Sequence, residues 1–229
     1  MTTKVLIIPA AGAGSRMQKD TPKPFLQLGN QTILEQTIRR FLPLDGLQQV
    51  LVATSGSFVQ KTGNILEKVL PSEIKGSCLV GGKTRQESIY NALQEVFAAD
   101  LVIVHDAVRP FVKLQHVQHC CSAARQYGGA VLGVPAKDTI KRIDDQQEIK
   151  ETPSRKYLWQ TQTPQVFQRD LLVRAYKQAL EDDFVGTDDS SLVERLEETV
   201  KMVEGDRSNF KITYPLDLEV AELLIKKDK

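Results

Sequence analysis

A run of small residues followed by two cations is the stretch of this sequence best suited to chemistry. Residues 9–15 read Pro-Ala-Ala-Gly-Ala-Gly-Ser, and Arg16 and Lys23 follow them. Small side chains let a ligand reach the backbone amides, and consecutive N–H groups in such a turn bind anions. Arginine and lysine side chains pair well with phosphate oxygens. The stretch therefore predicts a phosphate-binding loop; the alternative is a glycine-rich turn with two exposed cations.

The spacing of this loop does not fit the two commonest phosphate motifs. A dinucleotide fingerprint, G-x-G-x-x-G, would need a third glycine where Met17 stands. The acidic residue expected about 20 positions later could only be Glu35, which lies inside a helical pattern. A Walker loop would end correctly with Gly-Lys-Thr at 82–84, but Ser77 occupies its first glycine position. Both motifs fail, and a nicotinamide enzyme is disfavoured.

Two further stretches are expected to face the same ligand. Gly81 and Gly82 end a predicted strand and precede a helix, where Thr84 and Glu87 have the spacing of a capping box. Backbone N–H groups and the positive end of the helix dipole would point at the ligand there. Asp106 follows the most apolar run of the chain. Two interpretations of Asp106 are equally compatible with this position. The carboxylate could be a Mg²⁺ ligand in a nucleotide enzyme, or the residue could be a solvated aspartate at the end of a strand.

Histidines and cysteines offer only a weak alternative, a metal site. His116 and His119 stand three residues apart on a predicted helix beside Cys120 and Cys121, but the sequence has no second ligand pair with zinc-like spacing. We expect the two cysteines to pack in apolar surroundings, and His105 to be a buried, hydrogen-bonded residue rather than a catalyst. Three cysteines in all make no disulfide framework, which suits a reducing cytoplasm.

The overall charge excludes partners that are recognised by charge alone. The 229 residues carry 30 basic and 29 acidic side chains, a net charge of +1. We therefore expect no general attraction to nucleic acid or to a membrane surface, so that any anion binds through a local cluster. The apolar stretch from Val5 to Ala13 is too short for a signal or membrane-spanning segment.

Strands alternate with helices along most of the chain. This pattern predicts an α/β fold with a doubly wound, mostly parallel, Rossmann-like sheet in a single domain, 1–229. In such a sheet ligands bind at the carboxyl ends of the strands, which is where the stretches described above begin. The predicted strands are 4–8, 49–54, 75–80, 101–104, 129–134, 200–203 and 210–213, and the predicted helices are 31–42, 57–69, 84–97, 114–127, 170–180, one beginning at 188–189, and 215–225.

Residues 136–166 depart from this alternation. Segments 138–143 and 148–152 flank a polar turn, which predicts a hairpin that is too polar on both faces for a core. A two-stranded arm is only marginally stable alone, so we expect it to project and to pack on a second subunit. The alternatives are a lid and a plain surface insertion. Residues 159–165 are rich in hydrogen-bonding side chains and are predicted to be unlike a core strand.

Six motifs follow one another along nearly the whole chain. They are Pro9-Ala-Ala-Gly-x-Gly-x-Arg16-Met17 with Pro22-Lys23, Gly81-Gly82-x-x-Arg85-x-x-Ser88, His105-Asp106-Ala107-x-Arg109-Pro110, Asp138-Thr139-x-Lys141-Arg142, Leu158-Trp159-x-x-Gln162-Thr163-Pro164-Gln165 and Asn209-x-Lys211-x-Thr213. This set resembles the 2-C-methyl-D-erythritol 4-phosphate cytidylyltransferase family of the non-mevalonate isoprenoid pathway. Six ordered motifs are far more specific than any single one.

The resemblance implies a Mg²⁺-dependent transferase that makes 4-diphosphocytidyl-2-C-methyl-D-erythritol and pyrophosphate from CTP and 2-C-methyl-D-erythritol 4-phosphate. It also implies a homodimer whose arms interlock. One alternative is a ribitol-5-phosphate cytidylyltransferase, against which the Pro-Ala-Ala-Gly run at 9–12 and Lys141-Arg142 argue. Another is a non-catalytic nucleotide-binding protein, against which the presence of both Arg16 and Lys23 argues.

Carried over position by position, the resemblance implies three groups of site residues. The nucleotide would be bound by Pro9, Ala10, Ala11, Gly12, Ala13, Gly14, Gly81, Gly82, Ser88, Asp106 and Ala107, with cytosine recognised at Ala10, Ala11, Gly82 and Ser88. The methylerythritol phosphate would be bound by Asp106, Thr139, Thr163, Lys211 and, from the arm of a second copy, Arg155. Arg16, Lys23 and Lys211 would be catalytic, and Asp106 would lie near the metal.

Overall fold

The computed structural model describes residues 2–12 and 21–227 and contains a central seven-stranded sheet. Its strands are β1 (Lys4–Pro9), β2 (Gln27–Leu28), β3 (Gln31–Thr32), β4 (Leu47–Thr54), β5 (Lys75–Val80), β6 (Leu101–Val104), β7 (Gly129–Pro135), β8 (Arg142–Ile143), β9 (Ile149–Glu151), β10 (Trp159–Gln168) and β11 (Val200–Glu204). The large sheet has the order β11-β7-β10-β6-β1-β4-β5, while β2 pairs with β3 and β8 with β9.

Helices cover both faces of the large sheet. They are α1 (Ile33–Arg39), α2 (Val59–Val69), α3 (Arg85–Gln94), α4 (Leu114–Tyr127), α5 (Arg169–Glu181), α6 (Asp189–Glu194) and α7 (Pro215–Lys227). One apolar layer joins the sheet to α1, α2 and α4, and the other joins it to α3, α5 and α6. Because both faces are covered, β1 and β6 can be continuous apolar runs, and their side chains are buried. The predicted doubly wound, mostly parallel sheet is confirmed.

The order of the strands explains where a ligand can bind. β1 is parallel to β4 on one side and to β6 on the other, so the chain leaves β1 in one direction and returns on its opposite side. A crevice opens at the carboxyl ends of the strands at such a switch point. The loops after β1 and β6 both begin there.

Two predictions about strands are wrong. Residues 159–165 belong to β10, which lies inside the sheet and runs antiparallel to both β6 and β7. Its polar residues are tolerated there because each buried side chain finds a partner; Gln165, for example, donates to the Asp188 carboxylate at 2.8 Å. Residues 210–213 form an irregular segment rather than a strand, fastened where the Ile212 N–H donates to the Val108 carbonyl at 3.0 Å.

Smaller departures concern helix starts. α2 begins at Val59, after a 3-10 turn (Gly56–Phe58), and not at residue 57 as predicted. α6 begins as predicted, with the Asp188 carboxylate accepting from the Ser191 N–H at 3.0 Å.

None of the helices in the described residues is long and apolar enough to cross a membrane.

The C-terminal helix closes a third, smaller apolar cluster. Ala221 and Ile225 of α7 pack there with Leu28, Ile33 and Ile212. The Gly29 N–H also donates to the Glu222 carboxylate at 3.0 Å. The segment after β1 is therefore held from the far end of the chain.

The predicted hairpin at 138–152 is present as β8 and β9. Its strand residues are exposed on both faces, including Ile143 and Ile149, which are 53% and 63% exposed. The prediction of a projecting arm is consistent with this exposure. Its packing on a second subunit stays a prediction.

Candidate active site

A cleft of about 260 Å³ lies at the carboxyl ends of β1, β5 and β6. Four stretches of chain supply its walls: residues 9–12, residues 23–24, residues 82–88 and residues 106–108, with Lys211 completing the rim. The structure thus brings together most of the residues that the sequence predicted for the nucleotide, together with the predicted catalytic residues Lys23 and Lys211. In the described chain these are Pro9, Ala10, Ala11, Gly12, Lys23, Gly82, Ser88, Asp106, Ala107 and Lys211. Ala13, Gly14 and Arg16 lie outside the described residues.

Glycine is required on one wall of this cleft because the helix start comes close. A Cβ atom at Gly82 would lie 2.2 Å from the Cβ of Glu87, and one at Gly81 would lie 2.6 Å from the Cβ of Ala11. The Gly82 N–H donates to the Ser88 hydroxyl at 3.1 Å. Gly81 is thus packed against Ala11 at the edge of the cleft. The close packing keeps the wall thin enough for a flat ring to approach the backbone.

The predicted capping box at this helix start is only half formed. The Thr84 hydroxyl accepts from the Glu87 N–H at 3.0 Å, as predicted. The Glu87 carboxylate, however, accepts from the Lys83 N–H at 2.7 Å instead of returning to Thr84. The Glu87 side chain therefore fixes the loop at Lys83, which lines the cleft, to the first turn of α3.

Asp106 is the centre of a cluster of cations. Its Oδ2 atom lies 3.1 Å from Lys211 Nζ and 3.1 Å from Arg109 Nε, and its Oδ1 atom lies 3.5 Å from Arg85 Nε. Burial opposes ionisation of Asp106, but Lys211, Arg85 and Arg109 together outweigh it and hold the pKa of that carboxyl far below its usual range. The residue is 7% exposed, so the alternative of a solvated strand-end aspartate is wrong.

Lys23 is held at the opposite wall. It opens a 3-10 turn (Lys23–Phe25), is 8% exposed, and donates from Nζ to the Thr213 carbonyl at 2.8 Å. A buried ammonium loses most of its hydration, so the position must supply polar partners. This lysine therefore presents positive charge inside the cleft rather than in solvent, as an anion site requires.

A second cavity of about 290 Å³ adjoins the cleft and shares Arg85, Asp106 and Lys211 with it. Its remaining lining comes from Arg109 after β6, from β10 (Thr161, Gln162, Thr163 and Gln165) and from the segment before α6 (Thr187 and Asp188). Thr163 is thus placed beside the other predicted substrate residues. Thr139 and Arg155 are not; both are exposed in the arm, where Arg155 Nη1 donates to the Lys137 carbonyl at 2.6 Å.

Neither Arg85 nor Arg109 was predicted as a site residue, although both belong to the six motifs. Arg109 Nη1 donates to the Asn209 carbonyl at 2.8 Å and so connects Asp106 to the segment that carries Lys211. The signal was available in the i, i+3 spacing of Asp106 and Arg109 after the strand. Gln165 and Asp188 gave no such signal because their partners are distant in sequence.

His105 is buried and hydrogen-bonded, as predicted. Its Nε2 atom lies 3.0 Å from the Arg109 carbonyl and must donate, so Nδ1 accepts from the Thr163 hydroxyl at 3.0 Å. The same hydroxyl accepts from the Asp106 N–H at 3.0 Å. Burial lowers the pKa of His105 to about 4, because the charged ring would lose its hydration. The neutral imidazole therefore holds Thr163 and Asp106 in place.

This histidine predicts a pH dependence of stability. Below pH 6.5 His105 becomes protonated in the unfolded protein, whereas in the folded protein it stays neutral down to about pH 4. The free energy of unfolding therefore falls as the pH drops from 6.5 to about 4. We expect a loss of about 3 kcal/mol in the free energy of unfolding from this group. Urea titrations between pH 7 and 4 will measure it. His105→Asn should flatten the slope, whereas the exposed His119→Asn should not; equal slopes in both variants would contradict the assignment.

The weak metal alternative at 116–121 receives no support. Cys120 and Cys121 are buried in the apolar layer under α4, and burial raises the pKa of the Cys121 thiol to about 11. All three cysteines are free. Within residues 2–12 and 21–227, no group of three or more histidine, cysteine or acidic side chains is arranged to hold a metal ion.

Comparisons with known proteins agree on one family. The family model described as 2-C-methyl-D-erythritol 4-phosphate cytidylyltransferase matches residues 4–227. A protein of that name from Caldanaerobacter subterraneus subsp. tengcongensis is 42% identical over 226 residues, which cover 96% of this chain and 98% of that protein.

Solved structures give the same result for the fold. A 4-diphosphocytidyl-2C-methyl-D-erythritol synthase from Anaerococcus prevotii superposes with a TM-score of 0.87 at 30% identity, covering 98% of this chain and 99% of that one. A 2-C-methyl-D-erythritol 4-phosphate cytidylyltransferase from Thermus thermophilus gives 0.78 at 35% identity, covering 99% and 100%. The chain therefore belongs to the 2-C-methyl-D-erythritol 4-phosphate cytidylyltransferase family.

Proposed function

We propose that this chain transfers a cytidylyl group from CTP to 2-C-methyl-D-erythritol 4-phosphate, with residues 1–229 acting as one nucleotidyltransferase domain. The products are 4-diphosphocytidyl-2-C-methyl-D-erythritol and pyrophosphate. The observation that carries the proposal is the pair of adjoining cavities with Arg85, Asp106 and Lys211 on their common boundary. Two anionic substrates in these cavities would meet at a cationic boundary.

The reaction needs positioning and charge stabilisation more than proton transfer. An oxygen of the substrate phosphate attacks the α-phosphorus of CTP, a new P–O bond forms, and the bond to the bridging oxygen breaks as pyrophosphate leaves. A phosphomonoester dianion is already a nucleophile, so no general base is required. Lys23 at one wall and Lys211 at the boundary can compensate the charge that builds up on the five-coordinate phosphorus. We assign the same role to Arg16.

The cleft suits the nucleotide. Its wall at Gly81-Gly82 allows a flat base to approach the backbone, and Ala10 and Ala11 face it from the end of β1. We assign the base to this part of the cleft. The triphosphate is assigned to the backbone N–H groups of residues 12–14 and to Lys23.

The second cavity suits a phosphorylated polyol. Threonine and glutamine side chains of β10 supply hydrogen-bonding groups for hydroxyls, and three cations supply charge for a phosphate. Asp106 can accept from a hydroxyl at the boundary. We therefore assign Asp106, Thr163 and Lys211 to the polyol phosphate.

Magnesium is proposed as the cofactor. Mg²⁺ in nucleotide enzymes keeps several waters and needs only one or two carboxylates beside the substrate phosphates. Among the described residues that line the cleft, Asp106 is the one carboxylate, so the donor set fits an ion held mainly by the triphosphate. When bound, the ion would neutralise part of the triphosphate charge. The chain's own part would be to hold Asp106 ionised, which Lys211, Arg85 and Arg109 achieve.

A cytoplasmic homodimer is proposed as the working form. The arm exposes Ile143 and Ile149 on a two-stranded hairpin that is too small to be stable alone. Thr139 and Arg155 lie on the arm or at its base and not in either cavity of their own chain. A second copy would bring them to its partner's site. Free thiols suit a reducing compartment.

This arrangement predicts complementation between two damaged proteins. Arg155→Ala should lower kcat/KM for the polyol phosphate at least tenfold, because one charge-assisted phosphate contact is lost. When the Arg155→Ala and Lys211→Ala proteins are refolded together, activity should return, because each mixed dimer has one intact site. Random mixing makes about half of the dimers mixed, so roughly a quarter of all sites should be intact. Lys156→Ala, next in the chain, is the matched control and should stay near wild-type. A monomer in sedimentation velocity, or no regained activity, would contradict the proposal.

The test of the function itself is an assay of pyrophosphate release. CTP is supplied with 2-C-methyl-D-erythritol 4-phosphate, with ribitol 5-phosphate, or alone. We expect pyrophosphate to be released only when 2-C-methyl-D-erythritol 4-phosphate is present with CTP. Faster release with ribitol 5-phosphate would support the alternative transferase, and CTP binding without release under any condition would support a non-catalytic nucleotide-binding protein.

A further inference from the structure

A buried carboxylate behind the two cavities has no part in the proposed chemistry. Asp189, the first residue of α6, has a side chain that is 0% exposed and lines neither cavity. It accepts from Arg85 Nη2 at 2.8 Å and from the Tyr176 hydroxyl at 2.5 Å. A buried charge is costly unless it is paired, so the fold retains Asp189 only with these two donors in place.

Arg85 is shared unequally between two carboxylates. Its Nη2 atom is at hydrogen-bond distance from Asp189, whereas its Nε atom is 3.5 Å from Asp106 Oδ1, beyond the range of a charge-assisted hydrogen bond. The guanidinium is therefore hydrogen-bonded to Asp189 and only near Asp106. The Oδ2 atom of Asp106 contacts Lys211 and Arg109, each at 3.1 Å, while among the described ion pairs its Oδ1 atom has only the longer approach of Arg85.

Asp189 is held from two sides, by the sheet and by α5. Gln165 of β10 donates to the Asp188 carboxylate at 2.8 Å and accepts from the Ser190 N–H at 2.9 Å, which fixes the start of α6 to the sheet. On the other side, Tyr176 stacks on Tyr90 of α3, with ring centroids 6.1 Å apart. Arg85 is therefore paired with a carboxylate whose helix start is hydrogen-bonded to the sheet.

We propose that Asp189, supported by Tyr176, is a positioning residue that holds Arg85 back from Asp106 and so keeps Asp106 and Lys211 set for the second substrate. The inference rests on the proposed function for its kinetic consequence, although the geometry does not. If Asp189 lost its charge, Arg85 would close on Asp106 and form the full ion pair. That movement would occupy Oδ1 and weaken the hold of Asp106 on Lys211.

The test is the variant Asp189→Asn, which keeps the shape and removes the charge. Asp182→Asn is its control, because Asp182 directly follows α5, pairs with Arg195 at 2.6 Å and lines neither cavity. We expect Asp189→Asn to lower kcat/KM for the polyol phosphate about tenfold or more, as small displacements in an active site do. The dissociation constant for CTP by calorimetry should change less than about threefold, since the glycine wall is untouched.

A crystal structure of the variant gives a readout that does not depend on activity. Arg85 should move to within about 2.9 Å of the Asp106 carboxylate, the length of a charge-assisted bond. If Asp189→Asn fails to fold, Tyr176→Phe takes its place. It removes one of the two donors to Asp189 and should lower kcat/KM for the polyol phosphate about threefold, with unchanged CTP binding.

The outcomes separate the two claims. A folded Asp189→Asn protein with unmoved Arg85 and wild-type kinetics for the polyol phosphate would overturn the positioning role, and so would an equal loss in Asp182→Asn. If the wild-type protein released no pyrophosphate with either sugar phosphate, the proposed function would fail instead. The position of Arg85 in the variant crystal would still decide the role of Asp189.

Discussion

Lys23→Ala is expected to reduce kcat for pyrophosphate release by about a hundredfold or more, as the loss of one preorganised charge-stabilising donor does. Lys23 is 8% exposed as a residue and lines the cleft, where water cannot replace its charge effectively. In the proposed reaction its charge would act most strongly on the reacting phosphorus and less on the rest of the bound nucleotide. The loss should therefore be seen at saturating CTP, and steady-state assays with both substrates in excess will measure it.

Lys61→Ala is the matched control for this variant. Lys61 lies over the rings of Phe25 and Phe58, on the outside of the same turn that carries Lys23. Its removal should leave kcat within about twofold, as for a surface charge. Because Lys23 also holds the Thr213 carbonyl, thermal unfolding of both variants should be compared. A wild-type rate in Lys23→Ala would end the assignment.

Lys211→Ala is expected to act on the other substrate. This side chain is 42% exposed, lines both cavities and lies 3.1 Å from Asp106 Oδ2. We expect kcat/KM for 2-C-methyl-D-erythritol 4-phosphate to fall about a hundredfold, since one cation would be missing from the attacking phosphate. The KM for CTP should change far less. Varying each substrate in turn separates the two effects.

The control for Lys211→Ala is Lys201→Ala. Lys201 is an exposed lysine on β11, stacked over the ring of Tyr127, and lines neither cavity. It should keep both KM values. Equal rises in the KM for CTP and for the polyol phosphate in Lys211→Ala would place this lysine in general charge balance rather than at the second substrate.

Local sequence patterns were sufficient for the parallel part of the fold. β1 and β6 are short apolar runs, and only a strand covered on both faces uses such runs. Because parallel strands place their carboxyl ends together, the loops after them could be assigned to one site before any coordinates were known. The cleft confirms that Gly82 and Asp106 lie together, although their roles toward a nucleotide stay predictions.

The same reasoning failed for β10 because its partners are distant in sequence. Gln162, Thr163 and Gln165 look like loop residues when read alone. In the fold each of them is satisfied from elsewhere: Gln162 by Asn209, Thr163 by His105 and Asp106, and Gln165 by the start of α6. Local patterns do not contain contacts of this kind. The strand prediction for residues 210–213 was wrong for a different reason. Their alternating side chains resemble those of a strand, but in the described structure this segment does not pair with a sheet edge.

The bond between Lys23 and the Thr213 carbonyl spans 190 residues, and α7 seals the apolar cluster beneath the same turn. During synthesis on the ribosome, the sheet from β1 to β6 can therefore assemble early, while the wall of the cleft that carries Lys23 lacks its support. The wall of the cleft that carries Lys23 would therefore be completed last, when α7 leaves the exit tunnel of the ribosome.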